Sequence, residues 1–257
     1  MTAIATTAKP RDTQSLIQWL TSSWVGLFLL VYGLWVFLPF LAPVLMHIGW
    51  SSAGRAIYLV YSFFCHQLPE RSFFFFGPKP MYSLSEVQAA WQNTLNPFVL
   101  RQFIGNPTMG WKVAWSDRMV SLFTSIWLFA LLWLPVRNKA KPLSWWVFGL
   151  LLLPIVLDGG SHAISDLAGM GRGFRDSNAW LADLTQHALP ASFYVGDALG
   201  SFNSWIRLLT GVLAGFSIAW LVFPYIFQTE VYNRKLDELN YAKVIEQIKT
   251  QNPNPAG

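Results

Sequence analysis

The chain has 257 residues, of which 53% are hydrophobic and only 12% charged, whereas an ordinary soluble domain carries about 25% charged residues. With apolar runs about 20 residues long, this composition excludes both a typical soluble domain and a disordered chain. The formal charge of +5 does not call for a nucleic-acid partner, because the basic residues lie at helix ends and in one short loop, where topology and lipid headgroups account for them.

The polar segment 1–23 carries Lys9 and Arg11 and lacks a signal-peptide cleavage pattern, so the apolar run after it reads as a retained span. That run, Trp24 to His47, contains Pro39 and Pro43, which predict a kink in its second half. A second apolar stretch, Ala53 to Pro69, is short for a crossing and is tilted, begins before Ala53, or is re-entrant. Between Gly77 and Arg118, Ser83 and Glu86 have capping-box spacing. Leu84, Val87, Trp91 and Leu95 then fall on one helical face, which predicts an interfacial helix ended by Pro97. Met119 to Val136 is the next span, followed by the basic loop Arg137–Lys141 and a span from Leu143 to Asp158. Residues 158–203 form a second insertion with three closely spaced glycines and several acids. The last span, Trp205 to Phe227, leads into a charged tail with helical propensity, residues 228–257.

These elements predict an all-α, polytopic membrane protein of about five transmembrane helices, with residues 24–227 as one membrane domain and interfacial helices in two outer insertions. The Arg137–Lys141 loop has three basic residues and no acid, which places it and the tail in the cytoplasm. The N-terminus then lies inside if the second stretch is re-entrant and outside if it crosses.

This orientation gathers polar residues at one outer level: Cys65 and His66 with Gln67, Glu70 and Arg71; Asp117 and Arg118; Asp158 and His162; Asn203 and Arg207. Ionisable groups at membrane depth are costly and are normally paired or functional. Three chemistries are open to this set. The arginines and carboxylates can form interhelical salt bridges. Cys65, His66, Asp117, Asp158 and His162 can act as ligands to a divalent metal, although the Gly159-Gly160 pair predicts a helix break between Asp158 and His162. Arg71, Arg118, Arg207 and Asn203 can grip an anionic headgroup or phosphate. The single cysteine excludes an internal disulfide and any multi-cysteine metal cluster. Gly211 and Gly215 have the spacing of a close helix contact.

The same residues carry a resemblance. Cys65-His66-Gln67-Leu68-Pro69-Glu70-Arg71-Ser72 is similar to the CHQxPxRS signature of a family of small prokaryotic membrane proteins of unknown function. Pro154 with Asp158-Gly159 resembles that family's PxxxDG, and Asn203, Arg207, Thr210-Gly211 and Gly215 its NxxxRxxTGxxxG. The resemblance runs from about Tyr58 to Leu221. It implies the position of the polar site and no reaction. Where the family has a CxRC-type motif, this chain has Ser116-Asp117-Arg118-Met119, so a thiolate metal site does not carry over.

Three functions follow as expectations. The first is an accessory subunit of a larger membrane complex, embedded in the bilayer beside protein partners, with the charged cluster as a keystone. The second is a protein that binds a metal or a lipid headgroup at that cluster. The third is a small-solute transporter. No serine-hydrolase elbow, phosphate-binding P-loop, zincin motif or haem-attachment motif is present.

Overall fold

The computed structural model describes residues 11–251. It is mostly helical. Helix α1 (Arg11–His47) runs continuously through Pro39 and Pro43. It turns at Gly49, where φ is +87°, into α2 (Ser51–Tyr61). The two helices pack closely because Gly54 has no side chain: a Cβ there would lie 2.8 Å from Met46 Sδ. Helix α2 has 11 residues, which span about 16 Å and fall well short of a hydrocarbon core about 30 Å thick. Helix α2 is therefore not among the candidate spans. Four helices are long and apolar enough to span a membrane: Trp24–His47, Asp117–Val136, Trp145–Asp166 and Phe202–Ile248.

After α2 the chain unwinds, makes a 3-10 turn at Pro69–Arg71 and enters strand β1 (Ser72–Phe75). Strands β2 (Gly105–Asn106) and β3 (Gly110–Ser116) complete a small antiparallel sheet of order β1-β3-β2. Its register pairs Ser72 with Ser116, Phe75 with Trp111 and Gly105 with Trp111. The alternating pattern was hidden in sequence because β3 is buried on both faces: Val113, Ala114 and Trp115 are all fully buried. One core joins β3 to α1 and α2 through Ala42, Tyr58, Tyr61 and Trp115.

The predicted interfacial helix is shorter and faces elsewhere. Helix α3 (Leu84–Ala90) has the Ser83–Glu86 capping box. Val87 is buried, however, and Leu84, Trp91 and Leu95 pack on a core of Leu68, Phe74, Tyr82, Leu100 and Phe103. Pro97 does not end this helix; it opens α4 (Pro97–Leu100), capped by Asn96. The apolar stripe thus serves a protein core in the insertion.

Strand β3 runs directly into α5 (Asp117–Trp133), with Ser116 at the N-cap. Helix α6 (Trp145–Asp166) continues through Gly159 and Gly160 without the break those residues predict. The second insertion forms three short helices, α7 (Phe174–Ser177), α8 (Ala179–Leu184) and α9 (Ala191–Tyr194). Helix α10 (Phe202–Gln251) includes both the last span and the tail without interruption.

Helices α5 and α10 form the tightest pair. A Cβ on Gly211 would lie 2.0 Å from Ser121 Oγ, and one on Gly215 would lie 1.9 Å from Ser125 Oγ. The glycine pair therefore receives a serine pair of equal spacing within the same chain. Helix α6 packs on α10 and leaves Trp145, Trp146, Leu150, Leu153 and Val156 exposed, as a lipid-facing surface requires.

Candidate functional site: an arginine–aspartate network beside a cavity

The end of the bundle where α5 begins and α6 ends holds a buried charge network. Arg207, one turn into α10, donates from Nε to Asp117 Oδ1 and Oδ2 at 2.8 and 2.9 Å. Its Nη1 and Nη2 donate to Asp197 Oδ1 at 2.5 Å and the Asp197 carbonyl at 2.6 Å. Arg71, delivered by the 3-10 turn, donates to Asp197 Oδ2 and, through both Nη atoms, to Asp166, each at 2.8 Å. Asp158 on α6 receives Arg118 from α5 at 2.7 Å and Arg175 from α7 at 2.8 Å. His162 lies between the two halves. Its Nδ1 is 3.2 Å from Asp158 Oδ1 and its Nε2 is 3.4 Å from Asp197 Oδ1. Arg71, Arg118, Arg175 and Arg207 thus balance Asp117, Asp158, Asp166 and Asp197, and the network is neutral when His162 is neutral.

Amides and hydroxyls complete it. Asn203 accepts from Arg175 Nε at 3.1 Å and donates to the Arg175 and Gly196 carbonyls at 2.7 and 2.9 Å. Ser161 accepts from Arg175 Nη1 at 3.1 Å. Asn178, in the left-handed region at φ +42°, closes the insertion by donating to the carbonyls of Arg175 and Tyr194. Burial would push the Asp197 carboxyl up, but Arg71 and Arg207 hold it well below the ordinary carboxylate range.

Seven of the residues singled out in sequence meet here: Arg71, Asp117, Arg118, Asp158, His162, Asn203 and Arg207. Cys65 and His66 do not join them. Cys65 Sγ accepts from the backbone N–H groups of Gln67 and Ser116 at 3.4 Å each, while His66 is exposed. The five candidate metal ligands, Cys65, His66, Asp117, Asp158 and His162, therefore do not all converge on one point. Among the described residues, no three His, Cys, Asp or Glu side chains are placed to hold a metal ion. The physical reason is that guanidinium groups already occupy the oxygens of Asp117 and Asp158.

Sequence reasoning missed Asp166, Arg175 and Asp197 as partners. The first lies beyond the expected end of its span. The other two belong to an insertion that folds back over the helix ends, which no periodicity announces. It also missed Lys112, which is fully buried and donates at 2.7 Å to the carbonyls of Gln67 and Arg101. This lysine pins the unwound segment after α2, where buried Gln67 takes a left-handed φ of +54°. Burial pushes the Lys112 amine down to about 7.

Beside the network lies a cavity of about 350 Å³, whose polar lining includes Cys65, His66, Arg71, Arg101, Asp117, Arg118, Asp166 and Arg207. Leu68, Pro97, Phe98, Met119 and Met170 supply apolar wall. Arg101 donates to the Ser62 carbonyl at 3.0 Å and has no carboxylate partner among the described residues. Arg118 Nε is buried without an acceptor.

Comparison with known proteins agrees with this architecture. A family model described as "Predicted membrane protein (DUF2085)" matches residues 107–221. The chain is a polytopic helical membrane protein. The matched segment holds β3, α5, α6, the second insertion and the first turns of α10, and so every network residue except Arg71. An uncharacterized protein of Methanocaldococcus jannaschii, MJ1492, is 24% identical over 198 residues, covering 74% of this chain and 83% of the relative. No solved structure matches.

Proposed function

We propose that the protein binds a phosphate-bearing anion, in the first place the headgroup of an anionic phospholipid, in the cavity beside the arginine–aspartate network. The observation that carries this reading is Arg101: a guanidinium in the cavity wall without a carboxylate, next to Arg118 with a free Nε. Planar guanidinium forks suit phosphate oxygens. The apolar wall, with Phe98 exposed at its rim, suits an acyl chain more than a free inorganic ion. By the excess of basic residues at Arg137–Lys141, we place the cavity on the outer face of the cell membrane. The network acts as the rigid scaffold that fixes the cavity where four segments meet.

The test is quantitation of phospholipid retained by the protein after delipidating detergent wash, followed by rebinding from micelles doped with phosphatidylglycerol or with inorganic phosphate. Wild-type protein should retain about one anionic lipid, and Arg101→Gln should weaken rebinding at least tenfold, the loss of one charge-assisted contact. Equal rebinding by the variant would overturn the proposal. Tight binding of inorganic phosphate with no preference for the lipid would make the ligand a soluble anion.

An accessory-subunit role has a narrower basis, the exposed Tyr232, Leu236, Leu239, Tyr241 and Val244 of the tail. A fixed set of partners retained on gentle extraction, and released on removing residues 229–257, would support it.

A further inference from the structure

The 3-10 turn Pro69–Arg71 sends two adjacent charges into different cavities. Arg71 lines the one described above. Glu70 lines a second cavity of about 340 Å³, and Met170 borders both. Glu70 is 2% exposed, and neither of its carboxylate oxygens has a hydrogen-bond partner among the described residues. Such a group is expensive to bury: carboxylates of this kind are ordinarily paired or bound to a cation. Burial pushes its pKa up to about 7, against the pull of Arg71, of its own backbone N–H and of Lys112. The Lys112 ammonium does not pair with it, since its contacts are the Gln67 and Arg101 carbonyls.

The same cavity is acidic. Asp176 and Asp197 line it with Glu70, and Arg172, exposed at the rim, is the one cation in its lining. Asp197 is already held by Arg71 and Arg207. Asp176 Oδ2 accepts from Gly173 N at 2.7 Å. Of the three carboxylates, Glu70 alone has neither oxygen hydrogen-bonded to another of the described residues. A bare metal ion is a poor match, because no three ligating side chains among the described residues converge on one point. The remaining lining includes the Ser85 hydroxyl, the Gln88 amide and the apolar side chains of Leu84, Leu95, Met170 and Val195, while the Ser83 hydroxyl is held by Glu86 in the capping box. Carboxylate and hydroxyl acceptors spread around a partly apolar space suit a cation that carries its charge on several N–H donors and has a carbon chain to bury.

We propose that this second cavity is a binding site for a small primary ammonium compound, with the –NH₃⁺ donating to the Glu70 carboxylate and the carbon chain lying against Leu84 and Leu95. The negative lining draws the cation in, and the N–H geometry selects a primary amine over a quaternary one.

The experiment is calorimetric titration of the purified full-length protein in detergent, at pH 8, with ethanolamine, choline and magnesium chloride. Ethanolamine should bind saturably at one site, with choline at least tenfold weaker because it has no N–H to donate. Glu70→Gln keeps the shape and removes the charge, and should weaken ethanolamine binding at least tenfold. Ser85→Trp, at the exposed rim, should block entry without touching the buried carboxylate. Arg101→Gln, in the other cavity, should leave ethanolamine binding unchanged, so that failure here is separable from failure of the anion site. The proposal is overturned if wild-type protein shows no saturable ethanolamine binding, if choline binds equally well, or if neither Glu70→Gln nor Ser85→Trp changes the affinity. Magnesium binding that is lost in Glu70→Gln would overturn it in favour of a metal site.

Discussion

Arg207 and Arg101 show how two arginines near one cavity differ in role. Arg207 is 2% exposed and has every nitrogen engaged by Asp117 or Asp197. Its replacement by Ala would leave Asp117 buried without an ion-pair partner and Asp197 with Arg71 alone, which costs about 3–5 kcal/mol. Arg101 makes one bond to a backbone carbonyl, so Arg101→Gln should change stability by less than about 1 kcal/mol. Chemical unfolding of the two variants in detergent should separate them by several kcal/mol, and equal losses would contradict the distinction between scaffold and free cation. Glu70 has a pH signature of its own. Its folded-state carboxyl is pushed from 4.5 up to about 7, first by burial and also by Asp197, with Arg71 and Lys112 opposing. Because the folded state holds this proton more tightly than the unfolded one, stability is greatest below about pH 4.5 for this group and declines as pH rises to about 7. The total is of order 3 kcal/mol at about 1.4 kcal/mol per unit. Glu70→Gln should flatten that slope. An unchanged slope between pH 4.5 and 7 would show that Glu70 has found a partner in the folded protein.

At the scale of the element, the α5–α10 contact makes a sharp forecast. Gly215→Ala places a Cβ against Ser125 Oγ and the Leu122 carbonyl, and backbone cannot give as a side chain can. Overpacking of this kind costs about 1–3 kcal/mol. Gly149→Ala, where nothing lies within 4 Å, should instead stabilise α6 by about 0.5–1 kcal/mol. Melting temperatures that fell equally in both variants would argue against the Gly–Ser interlock. The spans and this glycine spacing were legible in sequence because apolar length and small-residue periodicity are local signals. The Ser83–Glu86 cap was legible for the same reason. The sheet was not: β3 reads GWKVAWS, with a lysine buried among apolar residues, and its stretch from Lys112 to Trp115 is buried on both faces. The target of the α3 stripe was not legible either, because amphipathicity reports that a face is buried without saying whether lipid or protein covers it. For the network, sequence supplied the charges on the helix ends. The partners from the insertion, Arg175 and Asp197, depend on a long-range fold around Asn178 and Asn203 that has no periodic trace.

For the whole molecule, a count of four candidate spans, without α2, sets the expected topology. Helix α1 ends beside the sheet: His47 stacks on Phe76 with ring centroids 4.1 Å apart. The start of its apolar run meets α10, where Trp24 Nε1 donates to Glu230 at 3.0 Å. Helix α5 starts at the sheet and ends near that same region, with Trp133 packed on Phe223. If all four candidate spans cross, Trp24, the Arg137–Lys141 loop and the tail lie on one side, and both insertions with both cavities on the other. By the positive-inside rule we propose that the side holding the Arg137–Lys141 loop is the cytoplasmic one. Single cysteines make the test clean, because Cys65 is the only one to remove. In a Cys65→Ser background, Gln92→Cys in the first insertion should react with a membrane-impermeant maleimide on intact cells. Lys139→Cys and Glu238→Cys should react only after the membrane is opened; all three positions are exposed. Labelling of Lys139→Cys and Glu238→Cys from outside, with Gln92→Cys protected, would invert the orientation and move the cavities to the cytoplasmic face. Labelling of Gln92→Cys and Lys139→Cys from the same side would contradict the four-span topology itself, because an odd number of crossings separates them in this fold.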